Sequence, residues 1–222
     1  MSSARRLTSE ALGTAFLLAV VVGSGIMAER LSGGNVAIAL LANALATGAG
    51  LTALILAFGS VSGAHFNPVV TLAELMEGRM SGQLAFAYVL AQTFGAIAGV
   101  AAAHTMFGEP VFSYSVHVRS GWPQWWSEFV ATTGLLLVIR GASRSWPAAI
   151  PFAVGAYITS AYWFTASTSF ANPAVTVART LTATFSGIRP SDAPGFIAAE
   201  ILGAIMATLF GRWLFYPASA IS

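Results

Sequence analysis

Long runs of apolar residues dominate the pattern along this chain. An α-helix needs roughly 20 mostly apolar residues to cross a bilayer. Six runs approach that length, at about 10–28, 36–58, 84–106, 125–141, 147–165 and 194–215. They lack the period-two alternation of membrane β-strands and are rich in Ala, Leu and Gly. The pattern therefore predicts six transmembrane helices, with Arg140 limiting the length of the fourth.

Composition indicates that lipid is the solvent for most of the surface. Hydrophobic residues make up 56% of the chain and charged residues 8%, whereas about a quarter of the residues of a soluble domain are charged. Cysteine is absent, which excludes disulfides and thiolate chemistry. The sequence contains no recognisable nucleotide loop, nucleophile elbow or metal-ligand cluster. We therefore expect an integral membrane protein that is not an enzyme and has no metal, cofactor or nucleic-acid partner.

The arginines, which are the only basic residues besides histidine, set the expected orientation. With the N-terminus inside, six lie on the cytoplasmic side (Arg5, Arg6, Arg79, Arg140, Arg144, Arg212) and four outside (Arg30, Arg119, Arg179, Arg189). Basic residues are enriched on the cytoplasmic side of membrane proteins, so both termini are expected in the cytoplasm. The first apolar run has no convincing cleavage site and is expected to be retained. Short termini without targeting signals favour a bacterial inner membrane.

The chain contains an internal repeat. Asn67-Pro68 corresponds to Asn172-Pro173, 105 positions later. Gln92 corresponds to Glu200, and Glu10 to Glu128. These pairs predict two units, 1–110 and 111–222, each with three spans and an Asn-Pro segment between its second and third span. An odd number of spans per unit places the units in opposite orientations, and such inverted repeats place their sites near the membrane midplane.

Each Asn-Pro pair precedes an apolar run of about ten residues, too short to span a bilayer. Asn is a good N-cap and Pro suits the first helical position, so the pairs predict two half-helices that meet at the midplane. Their N-termini carry partial positive charge that repels cations. The Asn67 and Asn172 amides are expected to donate hydrogen bonds to a passing oxygen and to orient water against proton hopping. The alternative interpretation is that each pair is only a turn and a helix cap.

The segments Gly63-Ala64-His65-Phe66-Asn67-Pro68-Val69-Val70-Thr71 and Asn172-Pro173-Ala174-Val175-Thr176 resemble the two signature loops of the aquaporin and aquaglyceroporin family. Glu10 and Glu128 stand where that family has buried glutamates in its first and fourth spans. The resemblance covers essentially the whole chain. It implies an all-α integral membrane fold with six transmembrane helices and two re-entrant half-helices in an inverted repeat. It also implies a passive channel for water and small uncharged solutes, with one pore in each subunit of a homotetramer.

The sequence departs from the family pattern at two positions. Val69 replaces the alanine of the first motif, and Val175 replaces the arginine that usually follows the second. Counted from the motifs, the other selectivity-filter positions are Thr47, Ser160 and Ser169. These four small side chains predict a wide filter with neither charge nor ring. Such a filter favours polyols, urea or neutral metalloid hydroxides such as arsenous acid, and it resembles that of bacterial members associated with arsenic resistance.

Other polar residues have more than one interpretation. Arg179 lies one helical turn after Val175 and leans toward the filter; it either supplies the missing charge at the mouth, or snorkels or pairs with a loop. Glu10 and Glu128 are expected to accept hydrogen bonds from the loop backbones, with a proton relay as the alternative. Glu200 either braces a loop in the same way or faces a neighbouring helix. His65 is expected to line the cytoplasmic vestibule.

A secondary transporter is the alternative to a channel, because transporters also use inverted repeats and broken helices. A transporter would need a site for a coupling ion. The expected half-helix N-termini repel cations at the midplane, which favours the channel.

Overall fold

The computed structural model describes residues 1–215, and these residues form helices without a β-strand. The helices are α1 (Ser3–Leu31), α2 (Val36–Ser62), α3 (Pro68–Met76), α4 (Gly82–Phe107), α5 (Trp122–Ser145), α6 (Ile150–Phe164), α7 (Pro173–Arg179) and α8 (Ala193–Phe215). Short 3-10 turns precede α6, at Pro147–Ala149, and α8, at Pro190–Asp192. The prediction of an all-α fold is confirmed. The end of the expected second unit, after residue 215, lies outside the described residues.

Two successive groups of four helices share one order of long, long, short and long. In the first group α1 packs against α2 and α4, and in the second α5 packs against α6 and α8. The groups meet where α2 crosses α6. We call the side on which α1 begins and α8 ends the terminal side, and the opposite side the loop side. The six long helices with two short ones are the architecture that the repeat predicts.

Five of the six long helices extend beyond the predicted spans, whereas α6 (Ile150–Phe164) is shorter than the predicted 147–165. The first span was expected at 10–28, but α1 covers Ser3–Leu31, and α5 continues past Arg140 to Ser145. By length and composition, four segments are suited to crossing a membrane: α1, α2, α4 and Pro190–Phe215. The two other long helices do not meet that description, since α5 contains Glu128, Arg140 and Arg144 and α6 has only 15 residues. Both helices nevertheless coincide with apolar runs of the sequence, at 125–141 and 147–165.

The half-helices begin as their sequences predict. The Asn67 side-chain oxygen accepts a hydrogen bond from the backbone N–H of Val69 at 3.0 Å, and the Asn172 oxygen accepts from Ala174 at 3.1 Å. Proline follows each asparagine at the first helical position. These bonds satisfy N–H groups that a helix start leaves without partners. The interpretation as a helix cap and the interpretation as a half-helix thus describe the same structure.

Ion pairs and carbonyl contacts hold the far end of α3 on the terminal side. Glu77 pairs with Arg140 of α5 and with Arg79. Arg212 of α8 donates to the Met76 carbonyl at the last turn of α3, where a cation also complements the helix dipole. These contacts fix α3, so that its N-terminus points to the centre of the molecule.

Small residues allow the helices to approach closely. A Cβ on Gly48 of α2 would contact the Gly155 carbonyl of α6 at 2.7 Å, and a Cβ on Gly155 would contact the Gly48 carbonyl at 2.6 Å. Gly95 and Gly99 of α4 lie in the same way against the backbone carbonyls of Ala11 and Ala15 of α1. Close backbone approach through small residues is the usual packing mode of membrane helices.

Candidate functional site: a central cavity between the half-helices

A cavity of about 100 Å³ runs through the region where α3 and α7 meet. Its walls have two different characters. One wall is aliphatic, with side chains from four long helices: Leu17, Val21, Leu51, Ile55, Leu135, Ile139, Ile150, Val154 and Ile158. The other wall is polar and consists of the two loops that precede the half-helices together with their asparagines.

The two asparagines connect the halves of the chain. Asn67 Nδ2 donates to the Ala171 carbonyl at 2.7 Å, and Asn172 Nδ2 donates to the Phe66 carbonyl at 2.8 Å. Each side-chain oxygen is already occupied by its own helix start, which fixes the orientation of the amide. An amide nitrogen carries two hydrogens, so each asparagine retains one N–H for a molecule in the cavity. Only one N–H of each amide is thus available to a passing oxygen, because the other connects the two loops.

The loop before each half-helix adopts an unusual backbone. Ala64, Phe66, Ser169 and Ala171 all have φ between 47° and 50°, a left-handed conformation that L-residues rarely adopt. Equivalent positions in the two loops share it, because 64 and 66 correspond to 169 and 171. Such strained backbone persists only where its surroundings hold it in place.

Glu10 and Glu128 hold these loops. Glu10 accepts from the backbone N–H groups of His65 at 3.0 Å and Phe66 at 2.8 Å. Glu128 accepts from those of Phe170 at 2.9 Å and Ala171 at 2.7 Å. Both carboxyls are fully buried, and neither lines the cavity. The positions agree with the loop-bracing role expected from the sequence rather than with a relay along the cavity.

Glu200 faces inward from α8. Its Oε1 accepts from the backbone N–H of Asn172 at 3.1 Å and from the Thr176 hydroxyl at 2.7 Å. These contacts favour the interpretation that Glu200 braces a loop, as Glu10 and Glu128 do, over the one in which it faces a neighbouring helix. Glu200 thus contacts the start of α7, whereas Glu128 contacts the loop that precedes it.

Three of the four residues expected in the filter lie together. Thr47, Ser169 and Val175 are buried and line the cavity. Ser160 does not, because it is exposed on α6 and its hydroxyl donates to the Tyr157 carbonyl. Tyr162 lines the cavity instead, with its hydroxyl 3.3 Å from Thr47 Oγ1. Two residues along a helix turn the side chain by about 200°, so counting back from the motif selected the wrong face of α6.

Arg179 places a guanidinium at the loop-side end of the cavity. The residue is 2% exposed, and its Cζ lies 3.4 Å from the ring centre of Phe170. Its Nε donates to the Ser186 carbonyl. This arginine therefore does not snorkel to a surface, and its contact with Ser186 is the pairing with a loop that the sequence offered as an alternative. It forms no ion pair within the described residues. The cavity that holds Thr47, Ser169 and Val175 is thus also lined by the ring of Tyr162 and the guanidinium of Arg179, and the composition of the filter stays a prediction.

Sequence reasoning missed Arg119. It lies in the segment 108–121 between α4 and α5, yet its side chain reaches inward. Nε donates to the Gly187 carbonyl at 2.9 Å, and Nη1 donates to the Ser167 carbonyl at 3.1 Å. Burial lowers the pKa of Arg119, but a guanidinium remains charged at neutral pH. No helical register predicts where a loop arginine points, so its position required the structure.

His65 lines the cavity, and its Nδ1 lies 3.0 Å from Thr71 Oγ1. Among residues 1–215, no group of three His, Cys, Asp or Glu side chains has the arrangement of a metal site. His117, in the segment between α4 and α5, is separate from His65 and lines a neighbouring cavity with Arg119 and Arg179.

Comparisons with known proteins identify the family. The model of the major intrinsic protein family matches residues 1–145. The chain is 55% identical over 217 residues to the aquaglyceroporin AqpS of Rhizobium meliloti (strain 1021), a match that covers 98% of this chain and 93% of that protein. It is 28% identical over 225 residues to aquaporin Z of Brucella melitensis, covering 94% and 97%.

Among solved structures, the aquaglyceroporin from Plasmodium falciparum shares this fold, with a TM-score of 0.74, 20% identity and full coverage of both chains. The family match, the identity to AqpS over nearly the whole chain and the central cavity between two half-helices all indicate the same kind of protein. The chain belongs to the major intrinsic protein family and is an integral membrane protein, a passive channel for water and small uncharged solutes rather than an enzyme.

Proposed function

We propose that this channel conducts uncharged solutes larger than water, namely polyols and neutral metalloid hydroxides such as arsenous acid. The observation that carries the proposal is the arrangement of Val175 and Arg179. Position 175, which lines the cavity, holds a small apolar side chain. The only guanidinium lining the same cavity among the described residues lies one helical turn farther toward the loop side. This arrangement leaves room beside position 175 for a solute with several heavy atoms.

The two walls of the cavity suit such a solute. A polyol presents hydroxyls on one side and C–H groups on the other, and metalloid hydroxides likewise carry several hydroxyls. The aliphatic wall offers dispersion contacts without competing for hydrogen bonds. The Ala171 and Phe66 carbonyls, the remaining N–H groups of Asn67 and Asn172, and the Thr47 hydroxyl form the polar wall. A hydroxylated solute that leaves water can form hydrogen bonds with these groups instead, so its hydroxyls stay hydrogen-bonded during passage.

Cations are excluded by fixed positive charge in our proposal. Arg179 lies at the loop-side end, and the facing N-termini of α3 and α7 contribute partial positive charge near the centre. Both act where the dielectric constant is lower than in water. In this scheme Tyr162 takes the filter position first expected for Ser160, together with Thr47, Ser169 and Val175.

Three further expectations remain part of the proposal. The chain forms a homotetramer, it lies in a bacterial inner membrane, and its terminal side faces the cytoplasm. Large apolar side chains such as Phe86, Phe94 and Leu202 are exposed on the long helices, which supplies apolar surface for both lipid and neighbouring copies. Native mass spectrometry tests the tetramer, and protease accessibility of a tag fused at the N-terminus tests the orientation.

Stopped-flow light scattering on proteoliposomes tests the solute class. Vesicles containing the protein are challenged first with an impermeant osmolyte, and then with glycerol, urea and arsenous acid. We expect swelling after glycerol and arsenous acid challenge that is well above that of protein-free vesicles. Water flux with no glycerol or arsenous acid flux would contradict the proposal.

A further inference from the structure

A second cavity, of about 260 Å³, lies on the loop side next to the central one. It is bounded by the beginning of α2, the segment 108–121 and the end of α7. Its polar lining side chains are those of Asn43, His117, Arg119, Thr168 and Arg179, and no carboxylate lines this cavity. Arg179 lines both cavities, so the second cavity is located at the entrance to the pore.

Two guanidiniums share one aromatic ring in this region. Arg179 Cζ lies 3.4 Å and Arg119 Cζ lies 5.3 Å from the ring centre of Phe170. Each is held in place through its Nε, which donates to the neighbouring carbonyls of Ser186 and Gly187 respectively. Two like charges held beside one ring repel each other, and they do so more strongly in a buried site than in water.

Nearby carboxylates attract these guanidiniums through space but form no ion pair with them. Glu128 directs its two oxygens to the backbone N–H groups of Phe170 and Ala171. Asp192 pairs with Arg189 and accepts from the backbone of Arg119, not from its guanidinium. Within the described residues, neither Arg119 nor Arg179 forms an ion pair. The cavity is therefore lined by two guanidiniums and no carboxylate.

We propose that this cavity binds a small inorganic oxyanion, such as phosphate or sulfate, between Arg119 and Arg179. Guanidinium groups match the oxygens of such anions in pairs of charge-assisted hydrogen bonds. The Thr168 hydroxyl, 3.4 Å from Arg119 Nη1, is a further donor on the cavity wall. A bound anion neutralises the two charges and blocks the entrance, so it reduces solute flux from the loop side. This regulation goes beyond the proposed solute class and does not depend on it.

Calorimetric titration of the full chain in lipid nanodiscs tests binding. Sodium phosphate and sodium sulfate are titrated at constant ionic strength, with sodium chloride as the reference. We expect saturable binding of an oxyanion to the wild type, at least about tenfold weaker in Arg119→Gln and in Arg179→Gln. Arg30→Gln is the matched control, because Arg30 also lies on the loop side but pairs with Glu109 far from this cavity; its affinity should equal that of the wild type.

Several outcomes would overturn the proposal. The first is that neither anion binds saturably to the wild type. The second is that the wild type and both glutamine variants bind with equal affinity. The third is that Arg30→Gln loses as much oxyanion affinity as those two variants do. If a glutamine variant fails to show a cooperative unfolding transition, Arg119→Lys replaces it. That variant keeps the positive charge but loses the paired hydrogen bonds of the guanidinium. Its affinity for the oxyanion should be lower than that of the wild type but still measurable above the chloride reference.

A flux measurement places the bound anion at the pore entrance. Osmotic water flux across the membrane of wild-type proteoliposomes is followed with phosphate on both sides and compared with chloride at the same ionic strength. We expect phosphate to slow the flux of the wild type and of Arg30→Gln at concentrations that match the calorimetric affinity. Binding without slower flux would contradict a site at the entrance. Glycerol flux in chloride alone tests the solute class separately.

Discussion

Glu200 occupies in the second half of the chain the place that Gln92 occupies in the first. Gln92 Nε2 donates to Glu10 at 2.8 Å, and Glu200 Oε1 accepts from the backbone N–H of Asn172 at 3.1 Å. Each also contacts the threonine of its own half-helix, Thr71 or Thr176. An amide that braces one loop is thus matched by a carboxyl that braces the other.

We therefore predict that Glu200→Gln is tolerated, because the amide oxygen keeps the acceptor for Asn172 and Thr176, and the first half of the chain already carries an amide at the equivalent position, Gln92. Glu200→Leu removes the acceptor for the Asn172 N–H and the Thr176 hydroxyl and should lower the free energy of unfolding by about 1–3 kcal/mol. Thermal unfolding in detergent and glycerol flux in vesicles measure both variants. Equal losses in Glu200→Gln and Glu200→Leu would show that the carboxylate charge itself is needed.

Tyr162 and Ser160 form a matched pair for testing the filter assignment. Tyr162 lines the cavity and Ser160 is exposed on another face of α6. We predict that Tyr162→Ala changes the ratio of glycerol to water permeability, because it removes a ring from the constriction. Ser160→Leu should leave that ratio unchanged, since it adds an apolar group to an exposed face. An effect of Ser160→Leu larger than that of Tyr162→Ala would restore the assignment made from the sequence.

The sequence was sufficient for the architecture because its signals are repeated. Two Asn-Pro pairs at equivalent positions, two buried glutamates and six apolar runs support the same inverted repeat. It was insufficient for the filter because a residue's face on α6 depends on where the helix ends and how the following loop turns. Counting assigned Ser160 where Tyr162 lies. Arg119 was beyond prediction because its position is set by loop contacts with carbonyls of distant residues, Ser167 and Gly187.

Arg179 is expected to act as the filter cation. Arg179→Gln keeps a polar side chain but removes the positive charge that lines both cavities. We predict increased leak of protons or monovalent cations through the variant, measured with a pH-sensitive dye inside proteoliposomes under an imposed gradient. Arg30→Gln, which removes a charge from an exposed ion pair on the same side, should leave the leak at the wild-type level. A leak no greater in Arg179→Gln than in Arg30→Gln would exclude this role.

Asp192 makes the loop-side structure sensitive to acid. Burial alone would raise the pKa of Asp192, but hydrogen bonds from the Arg189 side chain and the Arg119 backbone outweigh it and lower the pKa below its ordinary value. The ionised carboxylate is thus favoured in the folded state. Its stabilising contribution is fully present above the pKa of the unfolded chain, about 3.9, and is lost as the pH falls through the lower folded-state pKa.

Thermal unfolding as a function of pH checks this effect. At neutral pH, Asp192→Asn should be less stable than the wild type, and the difference should shrink as the pH falls below about 4. Arg189→Gln is a matched variant that removes one of the two donors and should show a smaller difference with the same pH trend. A difference between wild type and Asp192→Asn that stays constant down to pH 2 would contradict the assignment.

The central claim is that an apolar side chain at position 175, with the guanidinium one turn farther out, admits solutes larger than water. Stopped-flow measurement of water and glycerol permeability in the same vesicles, wild type beside Val175→Arg, tests it most directly. We predict that the wild type passes both, and that Val175→Arg lowers glycerol permeability by about tenfold or more, a barrier increase of about 1.4 kcal/mol, while water permeability changes little. Glycerol permeability that is undetectable in the wild type, or unchanged in Val175→Arg, would contradict the account.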